Sequence, residues 1–325
     1  MSEGNQTTVK EFIIMGFPGL QPQYYWMASM TLFLVYVSTL LGNLLTTTLL
    51  LIEEHLHKPM YFIILNLALS DICFSTVTLP KIISKYWFQA SSISFSGCFL
   101  QMFLVHYFGT LNSFIMMIMA LDRYVAICYP LRYPVLIKNT TIFLLSGIAW
   151  LVSWIVPTVT TLQAYALPYC GPNTIIQCYC DTISITRLAC ADIKVYSLVG
   201  FTLGMSVLLV PLCFIIYSYI QIILSVLRIA SSQGRHKAFS TCSAQFCIIT
   251  LYYGPRCFVY IANIANFPIT TDFRILMILF YSLIPPVFNP VIYFFRTKEI
   301  KQSLVRRFRG RQIHIQRANI TAVCS

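Results

Sequence analysis

Seven long apolar runs dominate the chain, at about residues 25–51, 59–82, 98–129, 141–164, 195–227, 238–264 and 273–295, with shorter polar stretches between them. Each is long enough to cross a hydrocarbon core about 30 Å thick as a helix, which takes roughly 20 to 25 residues. Backbone amides and carbonyls find no water in lipid, so a spanning segment must satisfy them internally. These runs lack the alternating ten-residue pattern of a barrel strand. The expected fold is all-α and membrane-embedded, a bundle of seven transmembrane helices. Pro157, Pro211, Pro255 and the pair Pro285-Pro286 fall inside runs and predict kinks that neighbouring helices tolerate.

Composition sharpens this picture. Of 325 residues 58% are hydrophobic and 10% charged, with mean hydropathy +0.74, values that exclude a soluble, a disordered or a disulfide-stapled secreted chain. The expected organisation is an N-terminal segment 1–24, a membrane domain 25–295 with an outer loop 165–193, and a tail 296–325. Alternate loops together with the tail hold fifteen of the 22 lysines and arginines. The tail is therefore expected in the cytoplasm and the N-terminus outside. The sequon Asn5-Gln6-Thr7 lies on the outer side and agrees with that assignment, whereas those at Asn139 and Asn319 lie on the cytoplasmic side and read as chance. The first 24 residues lack a basic start and an apolar core, so the first span is expected to direct insertion without a cleaved leader. Most of the +12 charge is thus topology signal and attraction to lipid headgroups, not a nucleic-acid surface. Arg306-Arg307-Phe308-Arg309 is read as part of an interfacial helix held by anionic membrane lipid.

Twelve cysteines divide by side. Cys73, Cys128, Cys213, Cys242, Cys247, Cys257 and Cys324 lie in spans or in the tail and are expected to be reduced. Cys98, Cys170, Cys178, Cys180 and Cys190 face the oxidising side, four of them in the outer loop. Disulfides there would make the loop a rigid lid, with pairing that spacing does not determine and one thiol left over. Cys178-Tyr179-Cys180 offers a metal reading, but no outside histidine cluster joins it, so no metal and no cofactor are expected.

Charges inside spans are functional hypotheses by default. Asp71, Asn112 and Asn289 fall at comparable depth in the second, third and seventh runs. They form either a polar cluster that holds water or a cation and repacks as helices move, or a static network that specifies the bundle. Asp122-Arg123-Tyr124 ends the third run, where arginine can pair with aspartate in one state and be released in another.

That tripeptide is joined by Asn289-Pro290-Val291-Ile292-Tyr293 in the seventh run, Asn43 in the first, Trp150 in the fourth and Pro211 in the fifth. The combination resembles the rhodopsin-like G-protein-coupled receptors. Leu56-His57-Lys58-Pro59-Met60-Tyr61-Phe62, Met119 to Tyr133 and Lys237-Ala238-Phe239-Ser240-Thr241-Cys242 look like the signature blocks of odorant receptors, over nearly the whole chain. Phe17-Pro18-Gly19-Leu20, His106 and the double proline look like the fish-like, class I branch. Leu121, Gln245 and Asn112 depart from the family pattern, and Asn112 stands where class I often has an acid. The resemblance implies disulfides Cys98–Cys180 and Cys170–Cys190 with Cys178 left over. It also implies a lock at Arg123, and Tyr219 and Tyr293 swinging in to hold an open state lined by residues 237–242. The implied partner is a heterotrimeric G protein of the stimulatory, olfactory type that raises cyclic AMP. The implied location is the plasma membrane, in the cilia of olfactory sensory neurons.

Ligand recognition is expected in the outer half of the bundle, under the lid, where the third, fifth, sixth and seventh helices converge. His106, Gly109, Thr110 and Ser113 form one helical stripe with a small-residue notch, and Tyr253, Arg256 and Tyr260 form another beside Pro255. A guanidinium inside a span needs an anionic or carbonyl partner. Arg256, helped by His106, either binds a carboxylate or sulfate of a water-soluble odorant, or is tied to a lid acid (Asp181, Asp192, Asp272) or to carbonyls freed by Pro255. Val105 disfavours an amine ligand. Rival classes are a channel or transporter, for which neither charged rings nor a repeated half is seen, and a membrane enzyme, for which no HExxH or GxSxG motif appears. A non-olfactory chemosensor of the same fold, for a metabolite, is the nearest alternative.

Overall fold

In the computed structural model the described residues are 9–228, 232–264, 267, 270–296 and 299–307. Long helices α1 (Tyr25–Ile52), α2 (Pro59–Phe88) and α3 (Phe95–Cys128) are followed by the one-turn α4 (Tyr133–Leu136). The fourth crossing is made by α5 (Asn139–Val152) and α6 (Ile155–Tyr165), and the short α7 (Thr182–Thr186) lies in the outer loop. Then come α8 (Lys194–Leu227), α9 (Ser232–Ile264), α10 (Thr271–Arg296) and a final helix at 299–307. Six of the seven crossings are long and apolar enough to span a membrane by themselves. In the remaining one, α9, the described residues include an apolar stretch over Phe246–Val259. Its first turns carry Gln233, Arg235 and Lys237 and extend the helix toward the basic, cytoplasmic side.

The ends of these helices follow local chemistry. Pro59 stands in the first turn of α2, where its missing amide costs nothing, and Ser94 caps α3 by accepting a hydrogen bond from the Gly97 amide at 3.2 Å. The fourth crossing, expected as one run, is interrupted between Val152 and Ile155. Pro157 has no amide to donate to the carbonyl four residues back, at Ser153, and the ladder breaks there. In α10, Pro290 likewise frees the carbonyl of Pro286. The side-chain amide of Asn43 donates to it at 2.9 Å, and Gly42 permits the approach, because a side chain there would meet the Pro290 ring. One proline and two residues of α1 thus fix how the first and seventh crossings meet.

At 34 residues α3 is about 51 Å long at 1.5 Å per residue, so it must tilt to fit a bilayer. It is the central element: two thirds of its most apolar window is buried, against 17% for α8, whose apolar surface faces outward as lipid-facing helices do. On the outer side β1 (Glu11–Ile14) pairs antiparallel with β2 (Ser92–Ser94) and parallel with β3 (Thr174–Ile175), in the order β2-β1-β3. The N-terminal segment, read from sequence as a plain extracellular stretch, therefore supplies the middle strand of a small sheet.

Candidate functional site

The outer loop is pinned from three sides. Disulfides join Cys98 at the head of α3 to Cys180, and Cys170 to Cys190 within the loop. The Cys180 amide donates to Gln101 Oε1 at 3.0 Å, while Gln101 Nε2 donates to the Val77 carbonyl at 2.8 Å, so α3 carries the lid and α2 together. From the N-terminal side, Phe12 is fully buried and packs its ring against Phe95, Phe99 and Tyr169. Cys178 is the free, buried thiol of the lid. Burial pushes it up to about 12, against the opposing pull of Lys85, so it stays protonated at neutral pH. Cys180 is committed to its disulfide, so the two cannot serve together as thiolate ligands. Asn5 lies outside the described residues.

Beneath the lid a cavity holds about 290 Å³ of empty space, counting the part open at its mouth. Asp71 of α2, Gly109 and Asn112 of α3, Tyr252 and Arg256 of α9, and Tyr281 of α10 line it. Two differences from the expected pocket follow. First, it draws on α2, and α8 contributes nothing to its wall. Pro285 and Pro286, both in the lining, interrupt the α10 ladder on the side facing α2 and α3. Second, it is deeper than the outer half of the bundle and runs into the polar core.

Of the residues expected to bind a ligand, Gly109 and Arg256 line this cavity, and a side chain at Gly109 would meet open space. His106, Thr110, Ser113 and Tyr253 do not line it. His106 Nε2 lies 2.8 Å from Thr182 Oγ1 of the lid, and Thr110 is buried. Tyr253 is buried. Tyr260 belongs to α9, but its side chain lies outside the described set, as do those of Lys237 to Cys242.

Tyr252 takes the place expected for Tyr253. Arg256 Nη1 donates to the Tyr252 hydroxyl at 2.7 Å, and that hydroxyl donates to the Gly109 carbonyl at 2.6 Å, with Ser113 Oγ 3.2 Å away. The guanidinium carbon also sits 4.4 Å from the Tyr252 ring centre and 4.7 Å from that of Tyr281. The acids weighed as partners are engaged elsewhere. Asp181 caps α7 by accepting from the Ser184 amide, Asp192 accepts from the Lys194 amide, and Asp272 from the Gly19 amide. Residues three and four back from Arg256 both share its face; the sequence signal for Tyr252 was present but equal to that for Tyr253.

Asp71 accepts from Asn112 Nδ2 at 3.3 Å and Asn289 Nδ2 at 2.7 Å, so the three polar residues meet. At the cytoplasmic end Arg123 lies 3.5 Å from Asp122. Tyr133, which sequence reading passed over, donates to the same carboxylate at 2.8 Å. Tyr124 packs its ring against Tyr129 and Tyr217, Tyr219 is buried against Phe246, and the Tyr293 hydroxyl lies 4.0 Å from Met119 Sδ, one turn beyond Pro290.

Arg306 and Arg307 of the basic run pair with protein. Arg306 and Arg307 donate to the two oxygens of buried Glu53 at 2.7 and 2.6 Å, and Glu299 accepts from Lys58 and Tyr61. These two arginines thus have a protein counter-charge that the sequence reading did not foresee; Phe308 and Arg309 lie outside the described residues. The Arg307 hydrogen bond, with Arg306 adding to it, holds Glu53 below its ordinary 4.5 against the opposing effect of burial. A carboxylate so lowered stabilises docking above its unfolded value and loses that contribution as pH falls through its folded value. Docking is expected to be intact at pH 7 and to loosen well below 4.5, and Glu53→Gln should release the helix at neutral pH. The distance between spin labels at Leu51 and Val305, both exposed, checks this: it lengthens and broadens in the variant, and an unchanged distribution contradicts it.

Comparison with known proteins agrees with this geometry. The family model described as olfactory receptor matches residues 32–311. Olfactory receptor 1E16 of Mus musculus is 36% identical over 97% of this chain and 99% of its own length. Olfactory receptor 2AT4 of Homo sapiens is 37% identical over 91% and 92%. Among solved structures squid rhodopsin superposes with a TM-score of 0.68 at 20% identity, covering 95% of this chain and 93% of its own, which supports the seven-helix fold. A multi-pass bundle whose polar core and Asp122-Arg123 pair are assembled as described, matched over nearly its whole length, belongs to the olfactory receptor family of G-protein-coupled receptors.

Proposed function

We propose that this receptor binds a small, water-soluble anionic odorant, a carboxylate or sulfate, against Arg256, and activates a stimulatory, olfactory-type G protein to raise cyclic AMP. The observation that carries the reading is a guanidinium stacked between two tyrosine rings and facing a cavity inside the bundle. A planar fork of donors held in that way suits bidentate contact with a carboxylate. The cavity is narrow as it stands, with room for little more than a water molecule, which favours a small odorant that widens it on entry. His106 does not line the cavity; it lies 2.8 Å from Thr182 Oγ1 and acts by holding the lid over α3.

Activation is a population shift. A ligand that touches α9 and α3 together binds better once α9 has pivoted at Pro255, and the same pivot opens the cytoplasmic end, where Arg123 leaves Asp122 and Tyr219 and Tyr293 move in. The outer segment 1–24, the membrane domain 25–295 and the tail 296–325 divide the labour into lid, switch and membrane-surface anchor. Ciliary membranes of olfactory neurons are the expected location, and the class I branch the expected lineage. The test is a cyclic AMP assay in cells with and without the olfactory G protein, screening short carboxylates, sulfates, amines and neutral odorants. Activation by anions alone, and only with that G protein, supports the reading. Activation confined to amines or neutral compounds overturns the ligand class, and a response without that G protein overturns the coupling.

A further inference from the structure

The lid is held unequally by the helices beneath it. Toward α3 the grip is strong: Cys180 is bonded to Cys98, the Cys180 amide donates to Gln101 Oε1 at 3.0 Å, and Thr182 Oγ1 lies 2.8 Å from His106 Nε2. Toward the N-terminal strand the Gly16 amide donates to the Gln177 carbonyl at 3.1 Å, and Cys178 is buried in the main core. Tyr179 stands between these fixed points. It is 6% exposed, and its hydroxyl lies 3.3 Å from Ser282 Oγ of α10, a residue 4% exposed. Ser282 lines the cavity beside Tyr281 and Arg256, whereas Tyr179 does not. The tyrosine is therefore packed against one wall of a void that has room for little more than a water molecule. With the backbone fixed on either side, the ring leaves only by rotating about its own side-chain bonds. The polar contact that holds it to α10 joins two neutral hydroxyls, far weaker than a disulfide.

We propose that Tyr179 is the gate and the size limit of the odorant site: a ligand gains room when this ring turns off Ser282 while the lid's backbone stays in place. This rests on the cavity beside Arg256 being the odorant's site and does not depend on the charge of the ligand. A buried tyrosine covers about 150 to 250 Å², so the space it gives up beside Ser282 accommodates a molecule of several heavy atoms. Hydroxyl and ring then have separate effects. The hydroxyl sets how often the gate opens, because apparent affinity falls in proportion to the fraction of receptors that are open. The ring sets how long a ligand can be, because it fills the space beyond Ser282.

The experiment is a cyclic AMP dose–response at matched surface density with straight-chain carboxylates, alcohols and amines of two to ten carbons, so that each head group carries its own length series. Tyr179→Phe, which loses one neutral hydrogen bond, is expected to answer the compounds wild type accepts at concentrations about two- to tenfold lower, with the same longest chain. Ser282→Ala should do likewise and the double variant no more, since both remove one contact. Tyr179→Ala should accept chains longer than the wild-type limit, and Tyr179→Leu serves if that variant fails to fold. A second measurement needs no ligand. Gly109→Cys places a thiol on the cavity wall, where a side chain meets open space. A charged thiosulfonate reagent added from outside, read by mass spectrometry of the peptide carrying position 109, should label it several-fold faster in combination with Tyr179→Ala than with Tyr179 in place. An unchanged length limit in Tyr179→Ala, or equal labelling rates, overturns the inference. If alcohols or amines activate wild type and carboxylates do not, the anion reading falls and the gate is judged on the active series; if no compound activates, the labelling rates decide alone.

Discussion

Arg256→Gln receptors are expected to reach the cell surface and no longer to answer carboxylates and sulfates. Glutamine keeps one amide donor able to reach the Tyr252 hydroxyl, so the Arg256–Tyr252–Gly109 chain of hydrogen bonds across α9 and α3 has a substitute. What it lacks is the charge and the second arm of the fork. Removing one member of a buried, charged hydrogen-bonded pair costs about 2 to 5 kcal/mol, which moves the half-maximal concentration by at least about thirtyfold. Arg256→Lys keeps the charge and loses the planar fork and the stacking on Tyr252 and Tyr281, so its response falls between the two. Dose–response curves normalised to surface expression read this directly. A Gln variant that answers anions as wild type does makes Arg256 a structural residue.

Loss of the Cys98–Cys180 bridge is expected to remove the receptor from the surface. That bond closes a separation of 82 residues and holds the lid, the head of α3 and, through Gln101, α2 in one unit. Removing a native disulfide of this kind costs about 2 to 5 kcal/mol, a large part of the 5 to 15 kcal/mol or so that holds a typical fold. Cys98→Ser and Cys180→Ser are therefore expected to be retained inside the cell. Cys170→Ser, which opens a separation of only 20 residues within the loop, should lower surface levels less. Cys178→Ala should leave them near wild type, because that thiol is unbonded. Flow cytometry on an N-terminal tag ranks the four; a Cys98→Ser receptor at wild-type surface levels contradicts the role given to the bridge.

Much of the architecture could be read directly because lipid imposes a strong rule. A helix that must satisfy its own backbone over about 30 Å announces itself as an unbroken apolar run; six of the seven runs lie within single helices of nearly the expected bounds, and the fourth is shared between α5 and α6. Features that depend on pairing between distant segments were not visible. The strand Glu11–Ile14 is four residues long, and its alternation of exposed and buried positions is too short to separate from chance. The grip of Arg306 and Arg307 on Glu53 joins positions some 250 residues apart, and nothing near either end marks it. Asn43 was legible as a marker, whereas its job of receiving the carbonyl freed by Pro290 appears only when α1 and α10 lie side by side. At the site itself, Arg256 stood out because an arginine inside a span is rare and costly. Its partner did not, because Tyr252 and Tyr253 are both one turn away and only the packing of α9 against α3 decides between them. Nor could sequence show that the cavity continues to Asp71, since that follows from Pro285 and Pro286 interrupting the α10 ladder beside it.

The central claim is that the charge at position 256 selects the charge of the ligand, and reversing it is the most direct test. In the cyclic AMP assay, with matched panels of short carboxylates and short amines on wild type and Arg256→Glu at equal surface density, wild type is expected to answer carboxylates. The reversed receptor should lose them and gain a response to amines. An Arg256→Glu receptor that still answers carboxylates at wild-type concentrations contradicts the account, and the recognition of the odorant would then have to lie elsewhere in the bundle.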